Sequence, residues 1–276
     1  MAILVLIGLA PATWGSSDTP PLSSPATPAA PAESSVAPAD WTDLFDRAKA
    51  GDTESLVEIG DRLHAGRGVR ADPVKAMEYW THAALRGHAG AKRRIALMLL
   101  EGRVVPAHPE KAMALLRQAA EQSDLDSVRM LADRYASGRD VERDAAEAVR
   151  WLKVGADLGD LDCRMRLAWH LENGSGIARD REAAWELYRA CAMQDHAPAW
   201  NRMGILHADG LGVRKDPVEA YRCFARADRL GLKEAARNMS AVESRASFLE
   251  RRRMRAIAAE IPGPASVPGQ SEPGEP

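Results

Sequence analysis

The sequence predicts an all-α solenoid of helix-turn-helix repeats, and three observations support this fold class. One segment recurs five times without an insertion, and its copies begin 36 residues apart at Gly66, Gly102, Gly138, Gly174 and Gly210. Each copy contains residues that end one helix and begin another. Aligned positions of the copies also hold either only small residues or only large ones. A chain of this kind gains one interface with each added unit, so its length sets no number of globular domains.

The first unit shows how one repeat predicts two helices. Leu56, Ile59 and Leu63 are spaced by three or four residues and therefore form one apolar stripe of a helix. Gly66 follows this stripe and can adopt the left-handed conformation that ends a helix. Asp72-Pro73 begins the second helix, because aspartate caps a helix N-terminus and proline is tolerated in the first turn. The predicted unit is a helix, a loop, a second helix and a short turn.

Aligned positions of the five copies predict how the two helices of a unit pack. In the first helix, one position holds only glycine or alanine: Gly60, Ala96, Ala132, Ala168 and Gly204. In the second helix, one position is always alanine: Ala76, Ala112, Ala148, Ala184 and Ala220. Four residues later the side chain is always large: Trp80, Leu116, Leu152, Tyr188 and Phe224. Small residues opposite large ones allow two antiparallel helices to interdigitate.

The segment GRGVRADPVKAMEYWTHAALRG, from Gly66, resembles the signature of the Sel1-like repeat, a relative of the tetratricopeptide repeat. The resemblance implies a right-handed α-solenoid that serves as a binding scaffold. The second copy departs from the signature at Arg103, Val104 and Val105, which stand in place of its G-V, and at His108, where the other copies have aspartate. We therefore expect the loop of that copy to differ in shape.

Composition divides the chain into six segments. Residues 1–15 contain a short apolar run followed by Ala10-Pro11-Ala12, which predicts a signal peptide and a periplasmic or secreted protein. Residues 16–39 are rich in Pro, Ser and Ala and predict a disordered linker, as residues 262–276 predict a disordered tail. Between them we expect a half-repeat at 40–51, five repeats over 52–233 and one long capping helix at 234–261. The mature chain should contain no stable membrane span.

Motifs and charge argue against several kinds of activity. The formal net charge is −2, so no overall field favours nucleic acid. The seven histidines form no HExxH motif and have no second ligand at metal spacing, so we expect neither a metal nor a cofactor. No nucleophile pattern of Ser or Cys with Lys or His is recognisable. Arg251, Arg252, Arg253 and Arg255 form a basic cluster in the capping helix, which reads as a solvated helix end or as an anion or lipid site.

The three cysteines, Cys163, Cys191 and Cys223, leave two interpretations open. Antiparallel packing should bring Cys163 near Cys191, so a disulfide is feasible in an oxidising compartment. The cysteines also occupy positions where other copies hold alanine or other apolar residues, as expected for buried thiols. A cysteine-rich branch of the Sel1-like family is linked to penicillin binding or hydrolysis. A cell-wall or β-lactam-active enzyme is therefore the alternative function, although this chain lacks the periodic cysteine pair.

The resemblance also implies where a partner would bind. In related solenoids the first helices line the concave side, so their stripe opposite the buried one should face a groove. Exposed aromatic side chains and arginines at such a surface are typical binding anchors. The predicted groove residues are Trp169, Met165, Ile205, Arg93, Arg129, Asn201 and Leu97. Alternatively, Trp169 packs against a neighbouring unit.

These features together predict a monomeric, non-catalytic scaffold of the bacterial cell envelope. Its partner would be a protein segment held in the groove, with an aliphatic anchor for Trp169 and acidic residues for Arg93 and Arg129. Regulation of a membrane sensor and envelope assembly are the two roles that this prediction suggests.

Overall fold

The computed structural model of the chain describes residues 38–260, which contain thirteen α-helices and no strand. This confirms the predicted all-α class. The predicted signal peptide, the linker up to residue 37 and the tail from residue 262 lie outside the described residues. The helices are α1 Pro38–Lys49, α2 Thr53–Ala65, α3 Pro73–Leu85, α4 Ala89–Glu101, α5 Pro109–Ala120, α6 Leu125–Ser137, α7 Ala145–Asp157, α8 Leu161–Asn173, α9 Arg181–Ala192, α10 Ala197–Asp209, α11 Pro217–Arg229, α12 Lys233–Arg245 and α13 Phe248–Glu260.

The helices form two compact units, divided between Asp144 and Ala145. In the first unit, α1 packs on α2, and each later helix up to α6 packs on the one before it. In the second unit, the same succession runs from α7 to α12. Contacts between helices that are neighbours in sequence are the arrangement expected of an α-solenoid.

The ends of the helices follow the predicted signals. The glycine after each first helix is left-handed, with φ of 70° at Gly66 and 75° at Gly210. The Asp72 carboxylate accepts the backbone N–H of Lys75 at 3.0 Å and so caps α3. A backbone hydrogen bond of 2.8 to 2.9 Å also closes every loop, joining an N–H to the carbonyl nine residues earlier: Asp72 to Leu63, His108 to Leu99, Asp144 to Tyr135, Asp180 to Leu171 and Asp216 to His207.

The loop of the second copy differs at one residue, as its sequence predicts. Gly68, Asp140, Gly176 and Gly212 occupy the same position in the other four loops, and all have positive φ. Val104 does not have positive φ, because a β-branched side chain strongly disfavours that conformation. The loop-closing hydrogen bond is nevertheless retained, so the change stays local.

Close helix packing explains why one position of the first helix is always small and one position of the second helix is always large. A Cβ atom placed on Gly60 would lie 2.4 Å from Nε1 of Trp80, and one placed on Gly204 would lie 2.5 Å from Cε1 of Phe224. Both distances are far too short for a side chain, so the ring of the second helix occupies the space that glycine leaves. The predicted opposition of small and large residues is confirmed at these two pairs.

The C-terminal segment differs from the prediction of one long helix. It forms two helices, α12 and α13, separated at Ala246, whose backbone is extended with ψ of 148°. Ser247 and Glu250 begin α13 as a capping box, since the Glu250 side chain accepts the Ser247 N–H at 2.7 Å. The break lets α13 fold back onto α11, where Met254 and Ile257 are buried beside Tyr221. Within residues 38–260, no helix combines the length and apolar character required to span a membrane.

Candidate functional site

All seven residues of the predicted groove lie on first helices of the repeats, which are α2, α4, α6, α8 and α10. The stripe of these helices that faces the second helices is buried, as Leu56, Ile59 and Leu63 show in α2. The buried stripe predicted for α2 is therefore the one that the structure buries. Arg93, Leu97 and Arg129 lie in the first compact unit, and Met165, Trp169, Asn201 and Ile205 lie in the second.

In the second unit, Trp169 is the prominent feature of this surface. Its side chain projects from α8 and the residue is 49% exposed. The indole ring lies edge-on to the ring of His170, with 5.1 Å between centroids. Met165, one turn earlier, and Ile205 on α10 are partly buried and pack against the core of this unit. The structure thus exposes half of Trp169, while Met165 and Ile205 are held against the core of the same unit.

Asn201 is not available to a partner in the way the sequence suggests. It is buried, and its side-chain oxygen accepts a hydrogen bond of 2.8 Å from Nδ2 of Asn238. The amide therefore joins α10 to α12. A polar side chain at this position stabilises the end of the array.

A buried ion pair on the same helices was not predicted. Glu172, one turn after Trp169, is 5% exposed and accepts two hydrogen bonds from Arg202 on α10, one of them from Nε at 3.0 Å. The Tyr188 hydroxyl donates to the same carboxylate at 3.1 Å. Burial and the negative charge of Glu172 both raise the pKa of Tyr188, because they disfavour the phenolate.

A similar pair joins the first two repeats. Asp61 accepts hydrogen bonds from Nε of Arg94 at 2.5 Å and from Nη2 at 2.6 Å. The indole N–H of Trp80 donates to the same carboxylate at 3.1 Å. Arg94 and Arg202 occupy the same position of the repeat, three periods apart. This shared position was a sequence signal for the two arginines, but Asp61 and Glu172 occupy different positions of the repeat.

In the first unit, the predicted cationic side of the groove carries compensating acids. Nε of Arg93 donates to Asp124 at 2.9 Å, and its Nη2 lies 3.0 Å from Asp126. Arg129 lies 3.9 Å from the other oxygen of Asp126. Two arginines thus share two aspartates at the N-terminus of α6.

The remaining residue of the predicted groove, Leu97, is partly buried on α4.

A depression on α6 is a further feature that sequence reasoning missed. It has a volume of about 510 Å³ and a mixed polar and apolar lining: Met130, Asp133, Arg134, Ala136, Ser137 and Arg139. Arg134 forms an ion pair with Asp140 across the following turn. The depression could receive a side chain of mixed polarity.

The three cysteines are buried, and the structure joins no two of them by a disulfide. Burial raises the pKa of Cys223 to about 12 and also raises the pKa of Cys191. Both thiols are therefore protonated near neutral pH and poor nucleophiles. Within residues 38–260, no three His, Cys, Asp or Glu side chains are grouped to hold a metal ion.

Comparison with known proteins now identifies the family. The sequence model of the Sel1 repeat matches residues 53–88, 89–124, 126–160, 161–196 and 197–232. The chain belongs to the Sel1 repeat family. Its match ends at residue 232, so α12 and α13 follow the Sel1 repeats. Sel1 repeats generally form protein-interaction scaffolds and are typically non-catalytic.

Two solved structures are similar to this chain. A Sel1 repeat protein from Oxalobacter formigenes is 20% identical with a TM-score of 0.66, over 80% of this chain and 92% of that protein. The protein c5321, a protective antigen present in uropathogenic Escherichia coli strains, displays an SLR fold and is 20% identical with a TM-score of 0.44. That match covers 85% of this chain and 61% of c5321. A search of curated protein sequences finds no match.

Proposed function

We propose that this Sel1 repeat protein is a non-catalytic adaptor of the bacterial cell envelope that holds a segment of a partner protein on its first helices. The observation that most supports this proposal is the exposure of Trp169, which is 49% accessible on α8. The outer half of this indole contributes little to folding, because it stays in contact with water. Tryptophan is, by contrast, among the commonest anchors of protein interfaces.

The surroundings of Trp169 suggest the chemistry of the partner. Met165 and Ile205 provide an apolar floor that is already fixed against the core, so a ligand would meet a preformed surface. An extended or helical segment with an aliphatic or aromatic anchor fits such a surface. Acidic residues of the partner have no part in this proposal, because Arg93 and Arg129 already contact aspartates.

The envelope location rests on the predicted signal at residues 1–15. We propose export to the periplasm or beyond, followed by action as a monomer that regulates a membrane sensor or assists envelope assembly. Fractionation of cells that express the full chain, with mass determination of the exported form, tests this part separately. Recovery of the uncleaved chain in the cytosol would contradict export without affecting the binding surface.

Affinity capture from a native envelope extract tests the binding surface. Trp169→Ala should weaken retention of the partner about thirtyfold, since truncation of an interface hot spot typically costs about 2 kcal/mol or more. Met193→Ala is the matched control, because Met193 is an exposed apolar residue at the C-terminal end of α9. Equal retention by the two variants would contradict the proposed surface.

Thermal unfolding separates lost binding from lost structure. Trp169→Ala should lower the free energy of unfolding only modestly, because half of the surface of Trp169 is already exposed. Truncation of a fully buried tryptophan would cost about 3–5 kcal/mol.

The purified protein should also leave nitrocefin and muropeptides intact. Turnover that disappears with a single substitution would favour the enzymatic alternative.

A further inference from the structure

The last described helix carries a surface that the proposed function does not use. One face of α13 is buried against α11 through Met254 and Ile257. Away from that face stand Phe248 and Leu249, which are 76% and 66% exposed. A contiguous exposed apolar surface marks an interaction site more often than an isolated apolar residue does.

Arginines continue this exposed face along the helix. Phe248, Arg251, Arg252 and Arg255 follow the spacing i, i+3, i+4 and i+7, which places them on one side of α13. All three arginines are exposed. We call this surface the α13 patch, formed by Phe248, Leu249, Arg251, Arg252, Arg253 and Arg255.

The charge of the α13 patch is local and largely uncompensated. Residues 245–255 contain five arginines and one glutamate, a formal charge of +4 in a chain whose total is −2. Within residues 38–260, no acidic side chain forms an ion pair with Arg251, Arg252 or Arg255. The one glutamate, Glu250, accepts the Ser247 N–H and serves as part of the helix cap. The arginines are thus free to contact an external anion.

We propose that the α13 patch docks this protein onto an anionic membrane surface. Phe248 and Leu249 would enter the headgroup region, and the arginines would contact lipid phosphates. Interfacial helices bind by this combination, in which apolar burial and attraction to anionic lipid act together. With thirteen residues, α13 is too short to cross a bilayer.

Charge and shape favour a membrane over single-stranded nucleic acid. Nucleic-acid surfaces combine basic residues with several aromatic rings on which successive bases stack. The α13 patch offers one ring, Phe248, and its second apolar residue, Leu249, provides no stacking face. An aliphatic side chain beside an aromatic one is suited instead to the boundary between headgroups and acyl chains.

Vesicle flotation with the full chain tests the electrostatic part. We expect binding to phosphatidylcholine vesicles that contain about 30% phosphatidylglycerol, weaker binding at about 0.5 M salt, and little without the anionic lipid. Each arginine near such a surface contributes roughly fivefold in partitioning. Removal of three should weaken anionic-lipid binding about a hundredfold in the variant R251Q/R252Q/R255Q.

A second triple variant controls for net charge. It removes three exposed arginines that pair with glutamates on α7, α9 and α11, and it should bind like the unmodified protein: R150Q/R189Q/R222Q. Equal weakening of both triple variants would overturn the proposal. So would binding that does not depend on phosphatidylglycerol, or patch-dependent binding of single-stranded nucleic acid in place of vesicles.

The apolar part is tested in the same assay. Phe248→Ser should weaken vesicle binding about tenfold, because the ring no longer leaves water on docking. Met193→Ser removes a comparably exposed apolar side chain at the C-terminal end of α9 and should have no effect. Neither change touches the buried face of α13, and unchanged circular dichroism melting would verify that both variants fold. Binding by Phe248→Ser equal to that of Met193→Ser would overturn the docking geometry.

Discussion

Replacement of Arg202 by methionine should destabilise the second unit far more than the loss of an ordinary surface ion pair. Arg202 donates to both carboxylate oxygens of Glu172, which lies on the preceding first helix. The pair therefore links α8 to α10, and Tyr188 adds a third hydrogen bond from α9. Methionine keeps the aliphatic part of the side chain but removes every donor.

The burial of Glu172 and Arg202 determines how much stability the variant Arg202→Met should lose. Glu172 is 5% exposed and Arg202 is 30% exposed, so the carboxylate depends much more on the pair than the guanidinium does. A buried charge that loses its partner destabilises a protein by about 3–5 kcal/mol. In the double variant Glu172→Leu/Arg202→Met no charge remains, and only the Tyr188 hydroxyl lacks its acceptor, at a cost of about 1–2 kcal/mol. The double variant should thus be more stable than Arg202→Met alone.

Urea unfolding of the full chain, followed by circular dichroism, measures these differences. Arg222→Met is the matched control, because the pair of Arg222 with Glu219 lies on the surface of α11. Such pairs contribute only about 0–1 kcal/mol. The reasoning would be refuted if Arg202→Met were no more destabilising than Arg222→Met. It would also be refuted if the double variant were at least as unstable as Arg202→Met.

Three further changes test the loops and one buried side chain. Gly176→Ala should lower the free energy of unfolding by about 2–4 kcal/mol, because φ is 71° and the new Cβ would lie 2.2 Å from the Ala145 carbonyl oxygen. The control Gly159→Ala, with φ of 89° and no atom within 4 Å of the new Cβ, should lower it by about 1 kcal/mol. Equal losses in urea unfolding would contradict the clash at Gly176. Ser123→Gly should raise stability by about 0.5 kcal/mol, since Ser123 has φ of 65° at a position where most equivalent turns have glycine. A loss of stability would show that the side chain of Ser123 matters more than its backbone. Burial lowers the pKa of His82, so the stability that neutral His82 contributes is present above about pH 6.5 and is lost as the pH falls through the lowered pKa. The variant His82→Gln should therefore lose less stability than the unmodified protein between about pH 7.5 and pH 5.5. Parallel profiles of stability against pH for the two proteins would contradict this.

The packing of the helical pairs could be predicted because it is repeated. Five aligned copies separate the positions that folding constrains from those that it does not, and Gly60 against Trp80 is a direct result of such a constraint. The helix ends were equally predictable, since left-handed glycines and aspartate caps act through local backbone chemistry. A single copy would not have distinguished these positions from chance.

Features that occur once were harder to predict. The break before α13 arises from a capping box at Ser247 and Glu250, a signal present in the sequence but weaker than the continuous helical pattern around it. The contacts of Arg93 with Asp124 and Asp126 depend on the rotamers of long side chains and on how one repeat follows the next. Neither quantity can be derived from spacing within one helix.

The structure leaves one candidate binding residue at the central groove position of the five repeats. Its members differ in every repeat: Asp61, Leu97, Asp133, Trp169 and Ile205. Such variation alone suggests that folding does not constrain this position. Asp61 nevertheless accepts hydrogen bonds from Trp80 and Arg94, and Ile205 packs against the core. Of the five, Trp169 is the only large apolar side chain that remains exposed. A large apolar side chain that stays half exposed at this position is best explained by a ligand. The binding proposal therefore rests on Trp169 and not on the other four residues.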